Sequence, residues 1–373
     1  MPREPGVGLS VPAAHCPLHV HPVFRATLSA LFGAGVRMFD LAPAAGPAAL
    51  MPMMATSVRR PPALAPRFDL HPGDAAFVAR RPRFRLPPLR QVSPPVALEA
   101  GNLRGGLLVE GGDRPTAAAG LLAALAARPD WDFAVLPTPL PDALAWTSAA
   151  DAAGLPWVLR RTGRTYHYRD APPDWDGVLT AASRNLRRNA QRIPKRLAEA
   201  RLEVRLREGA EGLAPLRAVA EASWKTGAFR DAPVRVPFTA RQEALHAALA
   251  ADRRLRVAVF TLEQAGRPLA AMHWILCGDA LCAGLTFHAP EARALSPGHA
   301  LMEASFRWAL AAGARRVDFN ATDGWLADYA DRTVTFGALL LLRRGPLGAL
   351  LARLARMADP GIGPPPAVVA EEE

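Results

Sequence analysis

Two periods organise the hydrophobic positions of this chain. In "HPVFRATLSALFGAG" apolar residues recur at helical spacing and stop at Gly33 and Gly35, which predicts a helix with a glycine end. "VRMFDLAP" and "AALMPMM" read as a hairpin about "AAG". "GGLLVEG", "DRPTAAAGLLAALAARP" and "WDFAVLP" give strand, helix and strand with short links, an α/β layer. One helical stretch is expected from about Gly177 to Ala200, then the strand "LEVRLRE". Helices in "LAPLRAVAEASWK" and "TARQEALHAALAA" flank the loop "DAPVRVPF". The pattern then turns to strands in "LRVAVFTL", "RPLAAMHWIL" and "ALCAGLTFH", joined by the turns "EQAG" and "CGD". The helix "PGHALMEASFRWALAAG", the strands "RRVDFNAT" and "TVTFGALLLL", and the amphipathic helix "GPLGALLARLARM" complete the pattern.

Charge is laid over this pattern most heavily in "SRNLRRNAQRIPKRL", which holds six basic residues and no acid. On a helical wheel Leu186, Ala190, Ile193 and Leu197 form one stripe, and the basic residues spread over the other side. A core-docked helix is expected, bent or broken by Pro194 near Ala190. Arg184, Arg187 and Arg188 are candidates to line the entrance for an acidic substrate. The net charge of +11 raises the case for an anionic partner. Lys195 and Lys225 are the only lysines, however, and Ala, Pro and Gly abound. A composition shifted toward arginine accounts for much of that charge, and no nucleic-acid partner is favoured.

A length of 373 residues fits two domains. Residues 1–20 are expected to be irregular. The junction "DAPPDW" divides the rest into 21–172 and 173–344, with a helix and tail over 345–373. Val58 to Pro95, dense in Pro and Arg, yields no assignment. Cys16, Cys277 and Cys282 make neither a disulfide framework nor zinc-site spacing, so no metal is expected and a reducing cytoplasm fits. No apolar run reaches the roughly 18 residues of a spanning helix. The C-terminal "RRGPLGALLARLARMA", basic on one face and apolar on the other, suits either a membrane surface or docking on its own domain.

The most specific chemical signal is "RALSPGHALMEAS". Ser296 is a natural helix N-cap, Pro297 fits the first helical position, and Gly298 lets a ligand approach the backbone. The free amides and positive dipole end there suit a pyrophosphate, and equally suit a plain capped helix. The hairpin closed at Cys277 and Ala280 sets His273 against Gly284. Alternation then places His273, Cys282, Gly284, Thr286 and His288 on one mixed face. Leu281, Ala283, Leu285 and Phe287 join Met272 and Trp274 on a core face. His273 is a general-base candidate or a buried structural histidine, and His288 offers a similar choice. Asp318 is a second base candidate or a strand-end turn residue. Trp224 and Lys225, at a helix end, are candidates to hold an anionic substrate or donor phosphate.

Three antiparallel strands, a glycine loop opening a helix, and a further strand resemble the GNAT N-acyltransferase fold. The order of "SRNLRRNAQR", "EASWKTG" and "LSPGHALMEASFRWALAAGARRVDFNATDG" resembles the acetyltransferase domain of CelD/BcsL-type proteins of exopolysaccharide and cellulose gene clusters. That group is related to the FemABX peptidoglycan transferases. The resemblance spans about Trp175 to Leu342; the first half is similar to the incomplete GNAT-like half that precedes it. It implies an α/β (α+β) fold of two tandem GNAT-like domains, each a mixed, largely antiparallel sheet flanked by helices. It implies acetyl-CoA or another acyl-CoA as donor and an amine of a sugar or envelope precursor as acceptor; the expected location is the cytoplasm, with the inner face of the membrane open through the C-terminal helix. Gly298 and Ala300 match the end of the family's Q/R-x-x-G-x-G/A phosphate loop, with Ser296 and His299 between and beside them. Leu295 stands at the Q/R position, and Arg293 lies two residues earlier. The resemblance makes Tyr329 a candidate to protonate the leaving thiolate, as a tyrosine does in many such enzymes, with a packing role as the alternative. An aminoacyl-tRNA-dependent transferase and a non-catalytic accessory protein are the alternatives.

Overall fold

Strands whose two faces are both covered read as continuous apolar runs, and this is what the strands of residues 255–288 show. The computed structural model describes residues 9–10, 16–32, 36–44, 49–58, 89–94, 104, 106–110, 113–170, 174–223, 238, 240–320 and 324–358. In chain order the elements are β1 Leu9–Ser10, α1 Pro22–Phe32, β2 Val36–Leu41, β3 Ala49–Val58, β4 Leu89–Ser93 and β5 Leu108–Glu110. Then come α2 Arg114–Ala127, β6 Phe133–Pro139, α3 Ala143–Ala152 and β7 Trp157–Asp170. Next are α4 Trp175–Ala181, α5 Arg184–Glu199, β8 Leu202–Glu208, α6 Leu213–Ala222, α7 Ala240–Ala251, β9 Leu255–Gln264, β10 Arg267–Cys277 and β11 Ala280–His288. Last are α8 Pro297–Ala311, β12 Arg316–Asp318, β13 Arg332–Leu342 and α9 Pro346–Ala358.

The chain divides into two compact units. The first takes residues 1–98, 102–165 and 334–373, and the second takes 99–101 and 166–333. The expected division instead left residues 334–344 with the second domain and 345–373 apart. In the first unit β2, β3, β4 and β5 pair antiparallel, β4 runs parallel to β6, and β13 pairs antiparallel with β6. The β2–β3 hairpin about "AAG" is as the pattern predicts. α2 starts at Asp113, whose carboxylate accepts the Thr116 amide at 3.1 Å. Leu121, Leu122 and Leu125 of α2 join Trp146, Leu159 and Leu339 in one core. A second apolar layer, Phe133, Val135, Val158, Leu340 and Leu342, receives Ala352 and Ala355 of α9.

In the second unit β8, β9, β10 and β11 form an antiparallel ladder. β11 runs parallel to β12, and β12 pairs antiparallel with the end of β7. α6 and α7 cover one face, packing Leu216, Val219 and Phe238 with Val259, Ala271 and Phe287. α4, α5 and α8 cover the other, packing Trp175, Leu186, Leu301 and Phe306 with Phe260, Met272 and Trp274. Each such side chain, buried, stabilises the unit by about 1.5–3 kcal/mol.

The helical stretch expected over 177–200 is two helices. Ser183 leaves helical geometry and its Oγ accepts the Leu186 amide at 3.1 Å, starting α5 afresh. Pro194 does not break α5, which runs unbroken to Glu199. Pro194 is exposed, so water can take the carbonyl that its missing amide leaves free. The predicted seam holds: Leu186 and Ile193 are buried, Ala190 and Leu197 half-buried.

Candidate functional site

The site starts with where β12 stops. This strand has three residues and pairs with β11 only at Ala280, Leu281 and Cys282. Asn320 then turns the chain away with a left-handed φ of 46°. Its amide donates to Asp318 Oδ1 at 2.8 Å, and its Nδ2 donates to the Ala283 carbonyl at 3.3 Å. β11 continues for six residues past the point where β12 leaves it. All six, Ala283 to His288, line a cavity of about 670 Å³. Consecutive strand residues face opposite ways, so a cavity that touches all of them lies along the strand's edge.

The floor of this cavity is Ala270, Met272 and Trp274 of β10, and its far wall is Leu301 and Met302 of α8. Its rim is Arg293, Ser296, Pro297, Gly298 and His299, the end of a 3-10 turn and the start of α8. Ser296 is not the side-chain cap that its type predicts. Its φ and ψ are both 52°, and its hydroxyl accepts no first-turn amide. It closes the preceding turn instead, its amide donating to Arg293 O at 3.4 Å, while its own carbonyl accepts the His299 amide at 3.1 Å. A non-glycine residue held left-handed costs on the order of 1–2 kcal/mol, a strain that recurs at binding loops. Because the hydroxyl does not cap it, the positive end of α8 stays directed at the rim. Arg293 is exposed and, among the described residues, pairs with no acid. No acidic side chain among the described residues lines the cavity. Leu295 packs against the core, so the cation at this rim is Arg293. A Cβ on Gly298 would sit 3.3 Å from Trp325 Cη2, so what approaches this glycine is the chain's own indole.

His299 brings a second chemical group to the cavity. Its Nδ1 lies 2.6 Å from the Tyr329 hydroxyl. Burial raises the Tyr329 pKa, with Asp328 and Glu303 adding to it, and burial lowers that of His299. Both are neutral near pH 7, and the direction of this bond follows the tautomer of the His299 ring. Tyr329 is fully buried against Phe306 and Trp325, and only His299 of the pair lines the cavity.

The expected faces of β10 and β11 are corrected by one extra residue. The register holds through Trp274 opposite Ala283, then shifts so that Met272 pairs with Thr286 and Ala270 with His288. Gly284 and Leu285 together oppose His273, a β-bulge that reverses the alternation beyond it. Thr286 and His288 therefore share the face of Met272 and Trp274 and line the cavity, and Phe287 turns to the opposite face. His273 also lies on that opposite face, fully buried beneath α7 with its ring centroid 4.4 Å from that of His246. Among the described residues neither of its ring nitrogens has a hydrogen-bond partner. Burial, then the His246 ring, pushes its pKa well below the usual range. The same burial lowers that of His246 to about 4. His273 and Asp318 do not line the cavity. Arg187 donates to Thr180 O and Ala182 O at the end of α4, and Arg184 and Arg188 are exposed. Trp224 and Lys225 lie outside the described residues. The signals that sequence reading missed are Trp325, set against Gly298, and the Asp318–Asn320 turn that opens the strand edge.

The antiparallel strands β9 to β11, the loop opening α8 and the further strand β12 stand in the order on which the resemblance rested. Residues 181–329 match the acetyltransferase (GNAT) domain. No curated protein matches the chain in sequence. Among solved structures, FemX is similar over 90% of this chain and 96% of its own, at 13% identity and a TM-score of 0.58, which shows the fold. The C-terminal domain of a putative lysylphosphatidylglycerol synthetase from Agrobacterium fabrum matches at 12% identity and a TM-score of 0.48, covering 90% and 91% of the two chains. A tandem GNAT protein from the clavulanic acid pathway matches at 12% identity and 0.40, covering 85% and 86%. The GNAT match lies wholly within the second unit and contains every described residue of the cavity. No helix among the described residues is long and apolar enough to cross a membrane.

Proposed function

We propose that this chain is an acyltransferase that takes an acyl group from acetyl-CoA, or another acyl-CoA, and passes it to an amine of a sugar or envelope precursor. The observation that carries the reading is the cavity along the open edge of β11, with a helix N-terminus and Arg293 at one end and an apolar floor behind. A donor with a polyanionic head and a long, thin arm fits these residues. Arg293 and the start of α8 would hold its phosphates, and the edge of β11 would align its arm. Such a donor supplies an activated acyl carbon and a thiolate leaving group. As the N–C bond forms and the C–S bond breaks, the proton shed by the amine would end on the leaving sulfur; His299 Nε2–H stands at the cavity to hydrogen-bond that sulfur, and in this reading the Tyr329 hydroxyl behind it donates to Nδ1 and fixes the tautomer. His273, kept neutral and buried away from the cavity, is a structural group in this reading. Holding donor and amine together supplies much of the acceleration without a covalent nucleophile.

Acetyl-CoA at about 100 times its Kd should stabilise the full chain by about 2.7 kcal/mol, a thermal shift of several degrees. Arg293→Ala should weaken that shift at equal concentration. No shift with any acyl-CoA at saturating concentration would remove the proposal's support. Similarity to FemX over nearly the whole chain favours a second reading, an aminoacyl donor carried on tRNA. Salt-sensitive tRNA binding without acyl-CoA stabilisation would select it.

A further inference from the structure

The C-terminal helix α9 packs its small residues and the half-buried Leu351 inward and turns its other large residues outward. Gly348, Ala352 and Ala355 are buried, the two alanines against Phe133, Val158 and Leu340. Leu347, Leu350, Leu354 and Met357 are 62%, 53%, 38% and 76% exposed. At steps of three and four residues they form one stripe, roughly opposite the buried alanines. A helix held only by its own unit would turn the leucines to the core and the alanines to water.

Along the helix and the residues that lead into it the charge is of one sign. From Arg343 to Ala358 there are four arginines and no acid. Arg344 donates from Nε to Ala153 O at 2.8 Å, and Arg356 donates to Trp157 O at 2.8 Å. Those partners are neutral carbonyls, so both guanidinium groups keep their full charge while they fix the helix in place. Arg353 is exposed at the flank of the stripe and, among the described residues, makes no ion pair.

We propose that this stripe is a docking surface for an anionic lipid bilayer. A helix lying in the interface needs an apolar face a few ångströms deep and cations at its margins, and α9 has both. A second copy fits less well. A two-fold contact would set Arg353 near its own counterpart with no acid in either helix. Four side chains also fall short of the roughly 800 Å² per partner that a stable dimer buries.

The test is flotation of the full chain with phosphatidylcholine vesicles, with and without phosphatidylglycerol. The chain should float with the anionic vesicles at low salt and less at high salt. Leu350→Glu combined with Leu354→Glu should reduce the bound fraction by about tenfold or more. The thermal midpoint should be unchanged, because both positions face water. No flotation with anionic vesicles, or equal flotation of the variant, overturns the proposal. So does a dimer in sedimentation velocity that the same variant dissociates, which would assign the stripe to a second copy.

Discussion

Gly284→Ala reads the contact between the bulge and the buried histidine. A methyl group at this position would lie 2.0 Å from His273 Nδ1, 3.0 Å from Cε1 and 3.1 Å from Cγ. The His273 ring must retreat by more than an ångström, yet it is fully buried and has the His246 ring against it. Overpacking of this kind costs about 1–3 kcal/mol, and a rigid ring met head-on belongs at the upper end. A loss of about 3 kcal/mol lowers the thermal midpoint by about 6–12 °C in a unit of this size. His273→Ala should cost less than a typical large-to-small change. It leaves a cavity, but it also removes two buried nitrogens that lack partners among the described residues, and each such group costs about 1–3 kcal/mol. In the double variant the methyl group meets empty space. Denaturant unfolding of the four proteins should give a coupling of about 2–3 kcal/mol in favour of the pair. Additivity within about 0.5 kcal/mol would refute the contact and the bulge register behind it. His273→Ala should also leave acetyl-CoA affinity unchanged, since the ring does not line the cavity.

Tyr329→Phe keeps the packing against Phe306 and Trp325 and deletes the hydroxyl bonded to His299 Nδ1. Activity should fall about a hundredfold in kcat with little change in KM, and an unchanged kcat would exclude the pair from a role at the leaving sulfur. His246 has a folded-state pKa of about 4 against about 6.5 unfolded, so the unfolded chain binds more protons below pH 6.5. The stability this gives is complete above pH 6.5 and is lost as pH falls toward 4, about 2 kcal/mol between pH 7 and pH 5. His246→Phe should flatten the fall in midpoint over that interval, and an equal slope in both proteins would disprove the assignment.

Most elements were legible in the sequence because each follows from local periodicity. The three strands of 255–288, the hairpin about "AAG" and the helix opening at Pro297 stand as the pattern predicts. The fork between β11 and β12 was not legible. It depends on a left-handed Asn320 and a side-chain bond to Ala283, neither of which alters hydrophobic spacing. The cavity-facing side of β11 was misread for a similar reason. Alternation is counted from a turn, and one unpaired residue at Gly284–Leu285 inverts everything after it. Ser296 was read as a cap because its type favours that role, but closing the preceding turn fixed its backbone in a conformation where its hydroxyl cannot cap. Arg293 was two positions from the family pattern, and a 3-10 turn brings it to the rim.

By itself, the sequence determined where most helices and strands lie, that the second half resembles a GNAT domain, and which stretch starts α8. These are properties of short windows, set by side-chain period and by the few residue types that start or stop an element. Only the tertiary structure decided which residues share a cavity. His299 with Tyr329, His273 with His246, and the outward leucines of α9 are juxtapositions across elements. They are fixed by strand register and by the face each helix buries, and a single residue of slip or bulge reassigns them.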